Sequence, residues 1–318
     1  PRFESNSKRV VLKNIYPDVD FEGGFSIRGD NFIGFGNSQQ PGSIILKRDQ
    51  KSFLRVISKN FSMNSNAIIS AFAAVRIYLD NDSIYHPAVK FTYLLNQKKA
   101  SIFRGDDGLQ KSPFQNTFHK LAMYVEQIEW NKHSDTLAFN FLTRKTETEA
   151  FFESSDFFSK ERSEYLKFGE QVSPIIQLHK LYLQLNKSEL IPMNALSRQM
   201  LSLPQDLRPL LIKLAISGLI DYNVDTDEIR IKQKLLDIVE VLNKKRDWDN
   251  ITIHSVAPGM DNARMDLKSR DLSIVGVKFL VLSDTQRVFV FPKRGELILR
   301  KNRDMQFDGV VSSGKFEF

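Results

Sequence analysis

The chain contains no cysteine in 318 residues. Disulfides, thiolate catalysis and cysteine-ligated metal are therefore excluded. Such a composition fits a reducing cytoplasm, or an envelope protein that does without bridges. No apolar run approaches the ~20 residues that a helix needs to cross a bilayer. Histidine is scarce. His86, His119, His133, His179 and His254 are the only five, and no two have a metal-ligand spacing such as i, i+4. Neither a nucleophile elbow of the G-x-S-x-G kind nor a phosphate loop is present. No cofactor is expected.

A concentrated charge of one sign is also missing. The formal net charge is +7. Residues 1–159 carry 20 Lys/Arg against 17 Asp/Glu, residues 160–250 carry 14 against 13, and residues 251–318 carry 11 against 8. The surplus is thus spread as +3, +1 and +3, and no stretch offers the basic footprint that a polyanion requires.

What is present is strand patterning on both sides of a helical centre. Val75, Ile77 and Leu79 alternate with Arg76 and Tyr78, and Val89, Phe91 and Tyr93 alternate with Lys90 and Thr92. Turn chemistry separates the runs: Gly34–Asn37, Gln40-Pro41-Gly42, Asp80–Asp82 and His86-Pro87. A broad hairpin is expected over 120–142, with helix as the rival reading for 118–128. Ser155 is placed as the cap of a helix over 156–168. Strands resume after Ile251. The stretches 74–91 and 276–299 share an order of strand, Asp-containing turn, strand ending at Pro and further strand. The expected fold is mainly β with an inserted α module: an elongated sheet stack or solenoid, with a β-sandwich pair as alternative. The expected divisions are 1–154, 155–250 and 251–318.

In the centre, Ser173-Pro174 reads as a helix start, with Ile175, Leu178, Tyr182 and Leu185 on one face. A short helix is expected over 194–201. A third begins near Asp206, with Pro209 in its first turn and Leu207, Leu210, Leu211, Leu214 and Ala215 inward. A hairpin over 219–232 and a last helix carrying Leu235, Val239 and Leu242 follow. The string LRPLLIKLAISGLIDYNVDTDEIRI resembles the third helix and wing of a winged helix-turn-helix. The solvent side of that helix would present Arg208, Ile212, Lys213 and Ile216, the candidate interaction surface. Its mixed character favours a protein contact over base reading.

Several other groupings invite a sharper reading. Arg28-Gly29-Asp30 and Arg104-Gly105-Asp106 read as soluble Gly turns rather than adhesion motifs. Asp80, Asp82 and Ser83 lack the full ligand set of a calcium loop. His119 near Arg104, Asp106 and Asp107 is the one segment dense enough for acid–base chemistry, and a loop stapled by polar contacts explains it better. Gly23-Gly24 and Gly34-Phe35-Gly36 read as bulges or tight turns.

The segments YHPAVKF (85–91), RGDDGLQKSPFQNTFH (104–119), LSDTQRVFVFPK (282–293) and GKFEF (314–318) resemble a family of long, uncharacterised β-rich envelope proteins of Bacteroidetes. That resemblance implies an extracytoplasmic setting and a longer parent. The start at Pro1 and the strand-like end at Phe318 also suggest a piece of a longer protein. The expected function is non-enzymatic: a structural or interaction segment, with other segments of the same chain or envelope proteins as partners. A lipid-carrying β-groove and a DNA-binding regulator are the alternatives. Nucleic acid is not favoured as a partner.

Overall fold

The structure, a computed structural model, describes residues 2–7, 9–29, 31–142, 149–157, 159, 162, 173–246, 251–283, 287–314 and 316–317. Most of the helix expected over 156–168 and the Asp30 end of the first RGD lie outside the described residues, and Asp156 and Phe157, which are described, are not helical. The chain is mainly β, with one large antiparallel sheet that does not close into a barrel. It divides into two compact units, residues 1–153 with 252–318, and residues 154–251. The β-regions before and after the helical segment form one body, because Ala150–Ser154 pairs with Thr252–Ser255 and Thr136–Asn140 pairs with Ala263–Asp266.

Three long strands organise the first unit: Val19–Arg28, Ala67–Leu79 and Asp82–Leu94. Each pairs with different partners along its two halves. Val19 to Glu22 pair with Gly42–Arg48, whereas Gly24 to Arg28 pair with Asn31–Phe35. Ala74 to Ile77 pair with Lys51–Ser58, and Ile68 and Ile69 pair with Asn60–Met63. Ile84 and Tyr85 pair with Phe114–Asn116, and Lys90 to Leu94 pair with Lys99–Phe103.

Two ladders continue from there. The first runs through Leu121–Tyr124, Ala150–Ser154, Thr252–Ser255, Val277–Ser283, Val288–Pro292 and Gly309–Ser313. The second runs through Gln127–Asn131, Thr136–Asn140, Ala263–Asp266, Leu272–Ile274, Leu297–Leu299 and Met305–Gln306. The chain visits them in pairs of consecutive strands: Gln127–Asn131 and Thr136–Asn140 in the second, Ala150–Ser154 and Thr252–Ser255 in the first, then Ala263–Asp266 and Leu272–Ile274 in the second again. The pattern is one antiparallel meander of long strands, each interrupted near its middle, so the sheet is creased lengthwise.

The crease has a local cause. A strand turns alternate residues to one face, so a bend that keeps both halves facing inward must shift the alternation by one residue. In Val19–Arg28 the buried positions pass from Val19, Phe21 and Gly23 to Gly24 and Ser26. In Ala67–Leu79 they pass from Ile68 and Ser70 to Ala73, Val75, Ile77 and Leu79, and the register shifts there. In Asp82–Leu94 they pass from Ile84 and His86 to Val89, Phe91 and Tyr93 across Pro87. Gly24 is needed for space as well: a Cβ there would lie 2.4 Å from the Phe35 ring. Ser58 and Ser70 hydroxyls take up the Phe72 carbonyl at 2.6 and 3.2 Å, satisfying backbone that the bend removes from the ladder.

Side chains inside the crease meet from both ladders. Phe53 of the first lies 4.4 Å from Trp130 of the second, ring centre to ring centre. Phe21, Phe61, Phe91, Phe114, Phe139 and Phe152 are buried in the same apolar cluster. The expected 120–142 hairpin is narrower, Gln127–Asn131 with Thr136–Asn140, and Leu121–Tyr124 belongs to the other ladder. No part of 118–128 is helical.

The second unit contains α1 (Pro174–Gln184), a short strand Leu190–Ile191, α2 (Met193–Met200), α3 (Pro204–Ile216), the hairpin strands Ile220–Asn223 and Glu228–Ile231, and α4 (Gln233–Leu242). The short strand, absent from the sequence reading, pairs with Glu228–Ile231 and completes a three-stranded sheet. Ile175, Leu178, Leu207, Leu211, Leu214, Ile229, Ile231, Leu235 and Val239 form the core, while Leu242 is exposed. Helix α3 begins two residues before the expected Asp206. Pro204 takes the first-turn position behind an extended Leu203, so Pro209 falls inside the helix. Gln205 and Pro209 are both exposed, and water can serve the carbonyl that Pro209 leaves without an N–H donor.

Candidate functional site

Two members of the expected surface on α3, Arg208 and Ile212, make contacts within their own unit. Arg208 is the exposed member, yet its guanidinium makes a two-pronged contact with Asp227 in the hairpin turn. Nε donates to Oδ1 at 3.2 Å and Nη2 donates to Oδ2 at 2.8 Å. The Tyr222 hydroxyl donates to the same Oδ1 at 2.7 Å. Arg208 and Tyr222 together hold the Asp227 carboxyl below the usual carboxylate range. Burial, and then the neighbouring carboxylate, push the Tyr222 phenol up. Ile212 is half-buried against the unit's own core rather than free on the solvent side, because α3 buries a broader stripe than the sequence spacing suggested. Lys213 and Ile216 are half-buried too. A base-reading helix needs an unpaired fork of donors, and the Arg208 fork is occupied by Asp227.

The first unit offers two features of its own. One is a seam where turns at the ends of the two ladders touch. Lys132 pairs with Asp18, and Lys268 and Arg48 both pair with Asp135, Arg48 at 2.5 Å. Arg270 meets Asp80 at 3.2 Å. The Tyr16 hydroxyl donates to the Asn64 carbonyl, and the Asn302 N–H to the Phe118 carbonyl, both at 3.0 Å. His119 belongs here as well. Its Nε2 is 2.8 Å from the Arg270 carbonyl, and Asn116 sits 2.9 Å from its Nδ1. The polar staple expected at His119 is thus present, but with Asn116 and Arg270. Arg104 instead lies over the Tyr124 ring and donates to the Lys111 carbonyl. Asp80, Asp82 and Ser83 are spent on Arg270, Thr117 and Arg76 respectively. No cluster of metal-ligating side chains occurs among the described residues.

The other feature is a row of rings on the outward face of the first ladder. Tyr124, Phe151, His254, Phe279 and Phe291 come from five successive strands. Neighbouring ring centres are 5.3, 4.9, 6.3 and 6.4 Å apart. Glu149 holds His254 Nδ1 at 2.6 Å. Phe279 and Phe291 remain 39% and 44% exposed, so the row is open at that end, while Tyr124, Phe151 and His254 are half-buried. Sequence reasoning missed it because its members are spread from 124 to 291. The only signal lay in outward aromatic positions on strands whose pairing was unknown.

Comparison with known proteins adds no relative: no family profile, no curated protein and no solved structure matches this chain.

Proposed function

We propose that this chain is a non-enzymatic structural and protein-interaction segment of a large bacterial envelope protein, and that it engages protein through the outward ring row. The observation that carries the reading is the row itself. A continuous row of rings on a sheet face, half-buried at Tyr124, Phe151 and His254 and exposed at Phe279 and Phe291, suits a partner surface at its exposed end. The envelope setting rests on the resemblance of the four segments from 85 to 318 to long β-rich proteins, and no helix among the described residues is long and apolar enough to cross a membrane.

The lipid-groove alternative draws on the same creased sheet. It is less favoured because Phe53 and Trp130 meet inside the crease, where an acyl chain would have to lie. The regulator alternative is weakened by the Arg208–Asp227 pair and by the near balance of charge over 160–250. The winged-helix likeness of the second unit then describes a packing module rather than a DNA reader.

Site-specific photo-crosslinking tests the reading. A photoreactive residue at Phe279 should give a discrete protein adduct in intact cells, and the same residue at exposed Lys90 should not. Adducts to lipid alone at 279, or equal labelling at both positions, would remove the interaction reading.

A further inference from the structure

The first ladder changes register beside the ring row. Val277 pairs with Ser255 and Leu280 pairs with Ile253, so two residues, Lys278 and Phe279, stand opposite the single His254. The four paired residues are buried, and Lys278 and Phe279 are both exposed. Such a bulge turns two neighbouring side chains to one face, where a regular strand would send one of them inward. Lys278 is thereby set beside the exposed end of the row. Alternate positions widen that end. Val281 pairs with Phe289 and Phe291 pairs with Val310, all on the outward face with Phe279 and all half-buried or exposed. We propose that this end of the row, Phe279 and Phe291 with Lys278, is a docking site for a protein segment that sets a carboxylate side chain beside an apolar one.

The inference rests on the ring row engaging protein, and charge decides the kind of segment. Lys278 makes no ion pair among the described residues. Lys293 and Arg294 are exposed on the turn that follows Phe291. Of the acids nearby, Glu149 is taken up by His254 at 2.6 Å and Asp308 by Lys293 at 3.4 Å. Glu296 is exposed, but it immediately precedes Leu297–Leu299, a strand of the other ladder. The open end of the row is thus apolar with an unpaired cation at its rim. An acidic residue of a partner would meet that cation while an apolar neighbour covers the rings, and a basic segment would be repelled. His254 holds this end in shape. Its ring stacks on Phe279 with an interplanar angle of 25°, and Glu149 fixes its Nδ1.

Two fluorescent peptides of one pattern test it, Glu-Phe-Glu-Phe-Glu-Phe and Lys-Phe-Lys-Phe-Lys-Phe, each titrated with the purified full chain and followed by anisotropy. The acidic peptide should bind at least about tenfold more tightly, and the difference should shrink as salt is raised. Lys278→Glu should abolish or invert that preference. Lys90→Glu, the same charge change at an exposed position of the other ladder, should leave it in place. Phe291→Ala should weaken the acidic peptide by about tenfold. No binding of the acidic peptide below about 1 mM, equal binding of the two peptides, or a preference that survives Lys278→Glu would overturn the proposal. The broader reading fails separately, on the absence of a protein adduct at position 279 in cells.

Discussion

The ring of Phe53 and the indole of Trp130 meet across the crease at 4.4 Å, tilted by 46°. One belongs to a strand of the first ladder and the other to a strand of the second, so this contact ties the two halves of the folded sheet together. Truncating either ring should cost about 3–5 kcal/mol in denaturant titration. A double-mutant cycle should return a coupling of roughly 0.5–1.5 kcal/mol, as for other tilted ring pairs. Additive losses would mean that the halves do not face each other there.

Leu214, on α3, is fully buried in the second unit's core. Leu214→Ala should cost about 2–5 kcal/mol. A loss below about 0.5 kcal/mol would show that the site is not a filled core position.

Leu201 closes α2 in the left-handed region, with φ 50° and ψ 39°, and its side chain is 93% exposed. A leucine gains nothing from burial there and bears the left-handed cost, so Leu201→Gly should stabilise the unit by about 1 kcal/mol. Thermal unfolding compared with the parent chain gives the sign.

Removing the carboxylate charge beside Tyr222 has a spectroscopic consequence. Asp227→Asn should bring the phenol part of the way back towards its ordinary pKa of 10.0, since burial, the larger cause, remains. The shift can be read from the ultraviolet difference spectrum of tyrosinate. An unchanged titration would mean that the Tyr222–Asp227 contact does not persist in solution.

His86 and His119 both titrate below the ordinary 6.5, at about 3 and about 4, chiefly through burial. In each the Nδ1 is already an acceptor, from the Ala88 N–H in one case and from Asn116 in the other. The unfolded chain therefore takes up protons that the folded chain refuses. Stability should be complete above about pH 6.5, and should fall as pH drops from there towards the folded values. For His119 alone the loss should be on the order of 3 kcal/mol. Denaturation midpoints that hold steady between about pH 7 and pH 5 would contradict this.

Much of the local structure is legible in the chain. Alternation at 75–79 and 89–93 gives strands, Ser173-Pro174 marks a helix start, and the Leu211/Leu214 stripe and the 219–232 hairpin fall where the spacing puts them. What alternation does not carry is pairing. Thr252–Ser255 adds to Ala150–Ser154 only after a long insertion has been bridged, so the outward row from Phe151 to Phe291 was invisible. The crease was half visible. Gly23-Gly24 and His86-Pro87 were read as turn or bulge signals, but the parity shift in Ala67–Leu79 has no glycine or proline to announce it. The Arg208–Asp227 contact was hidden for a related reason. A helix residue and a turn residue nineteen positions apart meet only once the hairpin folds back on α3.

Native mass spectrometry of the protein purified from a bacterial host tests most directly whether the crease is a filled scaffold rather than a carrier. The account gives a folded species at the mass of the bare chain, 36.7 kDa, with no retained acyl chain under gentle activation. A population carrying bound lipid that is lost from the parent only on unfolding would contradict it, and would promote the groove reading in its place.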